Sequence, residues 1–301
     1  MLREPDPSVR AREQERVSFK TLVDGEEVLE EDIGMPEVEF TSLELPGSGS
    51  TAESIVDYDT CLVVWKKCSH WFTVAKEHFQ LDGFVTDHLD IVQDLSRSYK
   101  MLAYYDKDPS RKSKMYKRRL DLLAPVEEII SPAVYAMQSK QLAWELSEIH
   151  DAMFDFKLND ALNESPTLDA ARRKKLLNIA LKSVFMLTRF VGRFHNEGDP
   201  ADTPLNDVDE VEWFLMGQLS IARMHGKVAT VLDREGMIEQ IKTSLEKYIF
   251  IVAYCDKNNE LCSGKFVQEL EICREMVALL PQKLDQIASQ GWAEPGLMDR
   301  V

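Results

Sequence analysis

From Ser54 onward, apolar residues recur along the chain at the three-and-four spacing of an α-helix, and short clusters of Pro, Gly, Asp and Asn break the pattern into segments. The first predicted helix runs from about Ile55 to Phe79, turns Leu62, Trp65, Trp71, Phe72 and Ala75 toward a core, and stops at Leu81–Phe84. A second, capped by Thr86 or Asp87, reaches about Asp106 with Leu89, Val92, Leu95, Tyr99 and Leu102 on one stripe. Asp108 followed by Pro109 is an N-cap with proline at the first helical position; it opens a third helix that Pro125 is expected to end. Ser131 and Pro132 repeat that signal for a fourth helix, which passes through Tyr135, Leu142, Trp144 and Met153 to about Leu158. A fifth covers about Leu168 to His195 and is closed by the loop Asn196–Asp207. The sixth runs from Val208 to about Leu232, the seventh from Arg234 to Cys255, and the eighth from about Lys265 to Ala288.

Eight long helices with mostly short connections predict an all-α array of antiparallel hairpins. No segment alternates with period two for long enough to predict a strand. Tetratricopeptide-type solenoids place small and aromatic residues at fixed offsets on the second helix of each pair, and Ser244, Tyr248 and Ile251 follow that pattern loosely. These helices are longer than those of a standard repeat of that kind, so the expected fold is a tetratricopeptide-like α-solenoid of elongated, degenerate pairs over residues 54–290. Residues 1–53 lack helical periodicity, carry Pro5, Pro7, Pro36 and Pro46, and end in a Gly/Ser stretch; they read as a poorly ordered acidic arm, and 291–301 as a C-terminal tail.

Charge sharpens that division. The 301 residues carry a formal charge of -16, and the stretch from Thr21 to Trp65 holds acidic residues and no basic one. Such a balance argues against duplex nucleic acid as a partner and for a basic one. The longest apolar runs, Cys61–Trp65 and Tyr248–Cys255, fall far short of the roughly 20 residues of a membrane span. The first forty residues are polar and acidic, unlike an export signal, so a cytoplasmic chain is expected. Cys61, Cys68, Cys255, Cys262 and Cys273 form no CxxC pair and read as reduced, buried thiols.

Catalytic patterns are missing. His70, His78, His88, His150, His195 and His225 belong to no HExxH or ExxH, and no GxGxxG, GxxxxGK[ST] or GxSxG occurs, so neither a metal, a nucleotide cofactor nor a small-molecule substrate is expected. Asp87, Asp90 and Asp94 share a helix face and are read as solvated.

One stretch opposes the overall charge. Ser110–Leu120 contains Arg111, Lys112, Lys114, Lys117, Arg118 and Arg119, and in the first turns of a helix positive charge works against the helix dipole. Local helix stability therefore does not account for the run. Either it pairs with carboxylates of a neighbouring helix such as Asp87, Asp90 or Asp94, or it meets an acidic patch on a partner, with Tyr116 as an interface aromatic. Met115, Leu120 and Leu123 are assigned to the core.

The strings Val74–Ser96 (VAKEHFQLDGFVTDHLDIVQDLS), Lys114–Pro125 (KMYKRRLDLLAP), Ala222–Val228, Ser244–Cys255 and Glu275–Leu284 resemble, in order and spacing, the C-terminal half of the kinesin-binding (KIF-binding) protein family. The resemblance implies a non-enzymatic, cofactor-free solenoid that binds kinesin motor domains, stops them from gripping microtubules, and works in the cytoplasm in association with the cytoskeleton. Family members carry a further N-terminal set of repeats, to which no part of this sequence corresponds. The competing expectation is a generic tetratricopeptide-like scaffold for another cytosolic protein.

Overall fold

The computed structural model describes residues 55–289 except 166, 197, 201 and 263–265; the expected arm and C-terminal tail lie outside the described residues. In order, the helices are α1 (Tyr58–His78), α2 (Val85–Tyr105), α3 (Pro109–Ile129), α4 (Ala136–Glu164), α5 (Ala170–Gly192), α6 (Val208–Ala229), α7 (Arg234–Lys257), the single turn α8 (Asn259–Cys262) and α9 (Val267–Ser289). No strand occurs among the described residues.

Aspartates start five of these helices. Asp57, Asp108, Asp169, Asp207 and Asp233 each accept a backbone N–H of the first turn. Asp57 and Thr60 exchange bonds in a capping box, and Pro109 occupies the first turn of α3 as its sequence predicts. α2 begins after Phe84 with no side-chain cap, so neither Thr86 nor Asp87 serves as one.

Two proline expectations fail. α3 continues through Pro125 to Ile129, because Pro125 lies on the exposed side, where the carbonyl it leaves unbonded meets water, while Val126 and Ile130 are anchored in the core. Ser131 and Pro132 form a turn closed by the Tyr135 N–H on the Ser131 carbonyl, and α4 starts only at Ala136. α4 also runs past Leu158 to Glu164, because Ala161 still has a core to enter. Trp71, expected to point inward, is 45% exposed against His70.

Each helix packs chiefly on its neighbours in sequence, which is the packing of a solenoid. Three apolar clusters follow one another along the chain. Leu89, Leu123 and Leu146 belong to the α2–α4 cluster, Phe154, Leu176 and Val228 to the α4–α6 cluster, and Phe214, Tyr248 and Cys273 to the α6–α9 cluster. Gly217 lets α6 approach α5: a Cβ there would lie 2.7 Å from Val191 Cγ2.

Polar links between alternate helices reveal two layers. Ser96 of α2 donates to Glu145 of α4, Lys100 pairs with Glu148, Lys140 of α4 reaches Glu210 of α6, and Lys227 of α6 reaches Asp151 and Asp155. These pairs advance together along both helices of each pairing, so α2, α4 and α6 run parallel in one layer. Glu127 joins α3 to Arg189 and Arg193, on and just beyond the end of α5, in the other layer, where Arg111 of α3 also lies over Tyr58 of α1.

Candidate functional site

Most of the histidine and cysteine chemistry is absorbed by the fold; His70 and His78 are exposed, and Cys68, expected among the buried thiols, is only half-buried. His88, His195 and His225 each hydrogen-bond a carbonyl oxygen through one ring nitrogen, at 2.7, 2.9 and 2.7 Å. Burial, with Lys182 and Lys117 nearby, depresses the buried His150 to about 4 and keeps it neutral. Cys61, Cys255, Cys262 and Cys273 are buried free thiols; burial pushes Cys273 up to about 11 and Cys255 higher still, away from the nucleophilic thiolate. No cluster suited to a metal ion occurs among the described residues, and none of their helices is long and apolar enough to cross a membrane.

The structure sorts the basic run of α3 into different roles. Lys114, Lys117 and Arg118 are exposed; Arg118 lies over the Tyr99 ring at 5.9 Å, and Lys117 pairs with Asp121 one turn on. Lys112 is half-buried. Arg111 is held at the start of the helix by the buried Asp106, at 2.8 Å, and by Asp108. Tyr116 packs edge-on against Phe156, and burial raises its hydroxyl above the usual tyrosine value.

Arg119 is not on the surface. Only 1% of it is exposed; its Nε donates to Ser96 Oγ at 3.1 Å and its Nη2 to Glu145 Oε1 at 3.0 Å, under the Tyr116 ring at 4.9 Å. It pins α3 to α2 and α4 and offers no group to a partner. The expected pairing of the run with Asp87, Asp90 or Asp94 does not form either; the partners are Asp106, Asp108, Asp121 and Glu145, and Asp94 pairs with Arg97 within α2.

Sequence reading missed another buried charge and a second basic helix. Glu127, also 1% exposed, is clamped by Arg189 at 2.9 Å and Arg193 at 2.7 Å. Its position was legible in principle, since Met115, Arg119, Leu123 and Glu127 recur every four residues and form one inward stripe. α5 carries Arg172, Arg173, Lys174, Lys175, Lys182 and Arg189 and no acidic residue. The layer of α2, α4 and α6 shows the opposite sign, with Asp87, Asp90 and Asp94 exposed on α2 and Glu148, Asp151 and Asp155 partly exposed on α4.

Helix pairs stacked in two layers, with opposite charge on the layers, define a helical-repeat protein. Within that class, the chain belongs to the family described as KIF-1 binding protein C terminal, whose pattern matches residues 7–287 and thus every described helix but the end of α9. The KIF-binding protein of Gallus gallus is 33% identical over 235 residues, 78% of this chain and 39% of its own length. That of Homo sapiens is 31% identical over 269 residues, 87% of this chain and 42% of its own. The Dictyostelium discoideum KIF-binding protein is 22% identical over 251 residues, covering 80% and 39%. This chain therefore spans about two fifths of the length of these relatives. No solved structure matches it.

Proposed function

We propose that this chain is a non-enzymatic binder of kinesin motor domains that blocks their attachment to microtubules and so regulates microtubule-based transport from the cytoplasm. The observation that carries the reading is the family match across the helical array, whose relatives are named for KIF binding. Charge supports it. A motor that grips an acidic track presents a basic face, and the acidic layer of α2, α4 and α6 is complementary to such a face. Lys112, Lys114, Lys117 and Arg118, with Tyr116 at their margin, are proposed to meet acidic groups of the motor outside its track-binding face. Arg111 and Arg119 hold the helix that presents them.

The test is co-sedimentation of a purified kinesin motor domain with microtubules, with and without this protein, at low and raised salt. The expected result is release of the motor into the supernatant, weakened by salt, weakened further by Asp90→Lys, and reduced by Arg118→Glu. A motor pellet unchanged by the protein, with no complex on a sizing column, would overturn the reading in favour of a scaffold for another protein.

A further inference from the structure

The basic run of α3 is half of a larger feature. α3 and α5 lie in one layer, and Glu127 sets their register by binding Arg189 and Arg193, 62 and 66 residues further along. Carried back along parallel helices, the same offset would bring Lys112 toward the height of residues 174–178 and Lys117 toward that of 179–183, the stretches that hold Lys174 and Lys182. A separate observation agrees: Lys117 and Lys182 are the two charges felt by His150 of α4, the helix packed against both α3 and α5. His150 is 4% exposed, and its Nδ1 has no hydrogen-bond partner among the described residues.

This positive charge is not neutralised locally. Lys114, Lys174 and Lys182 form no ion pair among the described residues, whereas Arg111, Lys117, Arg172 and Arg189 do. Of the α4 carboxylates, Glu148 is engaged with Lys100 and Asp151 and Asp155 with Lys227 of the opposite layer, while Glu164 is taken by Arg172 at the start of α5. Like charges gathered in one layer repel, and Lys114, Lys174 and Lys182 have no ion-pair partner among the described residues to offset that repulsion.

The surface is also partly apolar. Leu181 and Phe185, one turn apart on α5, flank Lys182 and are 64% and 56% exposed, while Leu176, Ala180, Leu187 and Phe190 occupy the buried side of the helix. The Arg189 guanidinium lies 5.7 Å from the Phe185 ring.

We infer that the outer face of α3 and α5 binds an acidic amphipathic segment of a partner protein, its carboxylates against Lys114, Lys174 and Lys182 and its apolar side against Leu181 and Phe185. Uncompensated cations steer such a segment in and fix its register, and the exposed Leu/Phe pair supplies residence. A bilayer fits less well, because α5 spends its main apolar face on the core and leaves two projecting apolar groups where an interfacial helix needs a continuous face. The site shares α3 residues with the motor-binding proposal but extends to a helix which that proposal does not use, and its ligand is acidic where the motor's track-binding face is basic.

The experiment titrates the full chain into a fluorescein-labelled amphipathic Glu/Leu helix and follows anisotropy. A poly-glutamate peptide without apolar positions, the Lys/Leu counterpart and phosphatidylserine vesicles are run alongside. Saturable binding of the Glu/Leu helix is expected, weakened about tenfold by Lys174→Glu with Lys182→Glu, and again by Leu181→Ser with Phe185→Ser. These positions are exposed, and unchanged helical circular dichroism confirms that the variants fold. Absence of binding, equal binding of the Lys/Leu or poly-glutamate peptide, or tighter binding to vesicles would each overturn the inference. Loss of motor release in the co-sedimentation assay with the peptide still bound would sink the motor proposal alone, and the reverse result would sink this one alone.

Discussion

Arg119 offers the sharpest test of how the array is held together. Replacing it with Met keeps the aliphatic stem that packs beneath Tyr116 and removes the guanidinium. Glu145, 12% exposed at its side chain, then keeps the Ser96 hydroxyl at 2.8 Å and loses its cation. Removing one partner of a buried pair costs about 3–5 kcal/mol, and the bond retained from Ser96 places the expected loss near the lower end, at about 3 kcal/mol. Arg119→Met with Glu145→Gln removes the stranded charge, so the double variant should recover about 2 kcal/mol relative to the sum of the single losses. Urea denaturation followed by helical circular dichroism measures all four corners of the cycle. The reasoning is refuted if Arg119→Met costs less than about 1 kcal/mol or if the two single losses simply add. Motor release should survive in Arg119→Met below its unfolding range, unlike in Arg118→Glu.

The remaining predictions concern other parts of the fold. His150 is held at about 4, below the ordinary value of 6.5, so protonation favours the unfolded chain: its contribution is intact above about pH 6.5 and declines as pH falls toward 4, by about 3 kcal/mol in all. His150→Leu should flatten the pH dependence of the urea midpoint across that window, and an unchanged slope would contradict the assignment. Gly217→Ala should destabilise by about 1–3 kcal/mol although alanine is the better helix former, because the added methyl overlaps Val191 and Phe190; thermal melts decide, and a stabilised variant would show that α5 and α6 can separate freely. Lys227→Met leaves Asp151 and Asp155 facing each other one turn apart and should cost about 1 kcal/mol at low salt and less at high salt, read from the same melts in the two buffers.

Much of this fold was legible in periodicity. The Asp108–Pro109 start, the stripe of Leu89, Val92 and Leu102, and the inward Ser244, Tyr248 and Ile251 all stand where their spacing puts them. Local rules failed where tertiary packing outweighed them: Pro125 is carried through because the residues after it are anchored, and Trp71 stays outside because α1 buries little beyond Cys61. The site was legible only in part. Counting cations finds the run on α3, but charge alone does not separate Arg119, which sits on the core stripe, from Arg118, which does not. The α5 cations escaped attention because they are split by an apolar stretch, and their alignment with α3 depends on a register that only the Glu127 clamp discloses.

The nearest-neighbour packing has a mechanical consequence. A globule resists deformation everywhere at once, whereas here a strain applied at one end passes from hairpin to hairpin as a series of small rotations. Helix α4, at 29 residues about 44 Å long, is the stiff member, tied by polar links to α2, α3, α5 and α6. Because α4 is tied into both layers on both sides, the register it holds is the fixed reference from which the hairpins on either side set the spacing of the outward faces, in the manner of a leaf spring clamped at its middle.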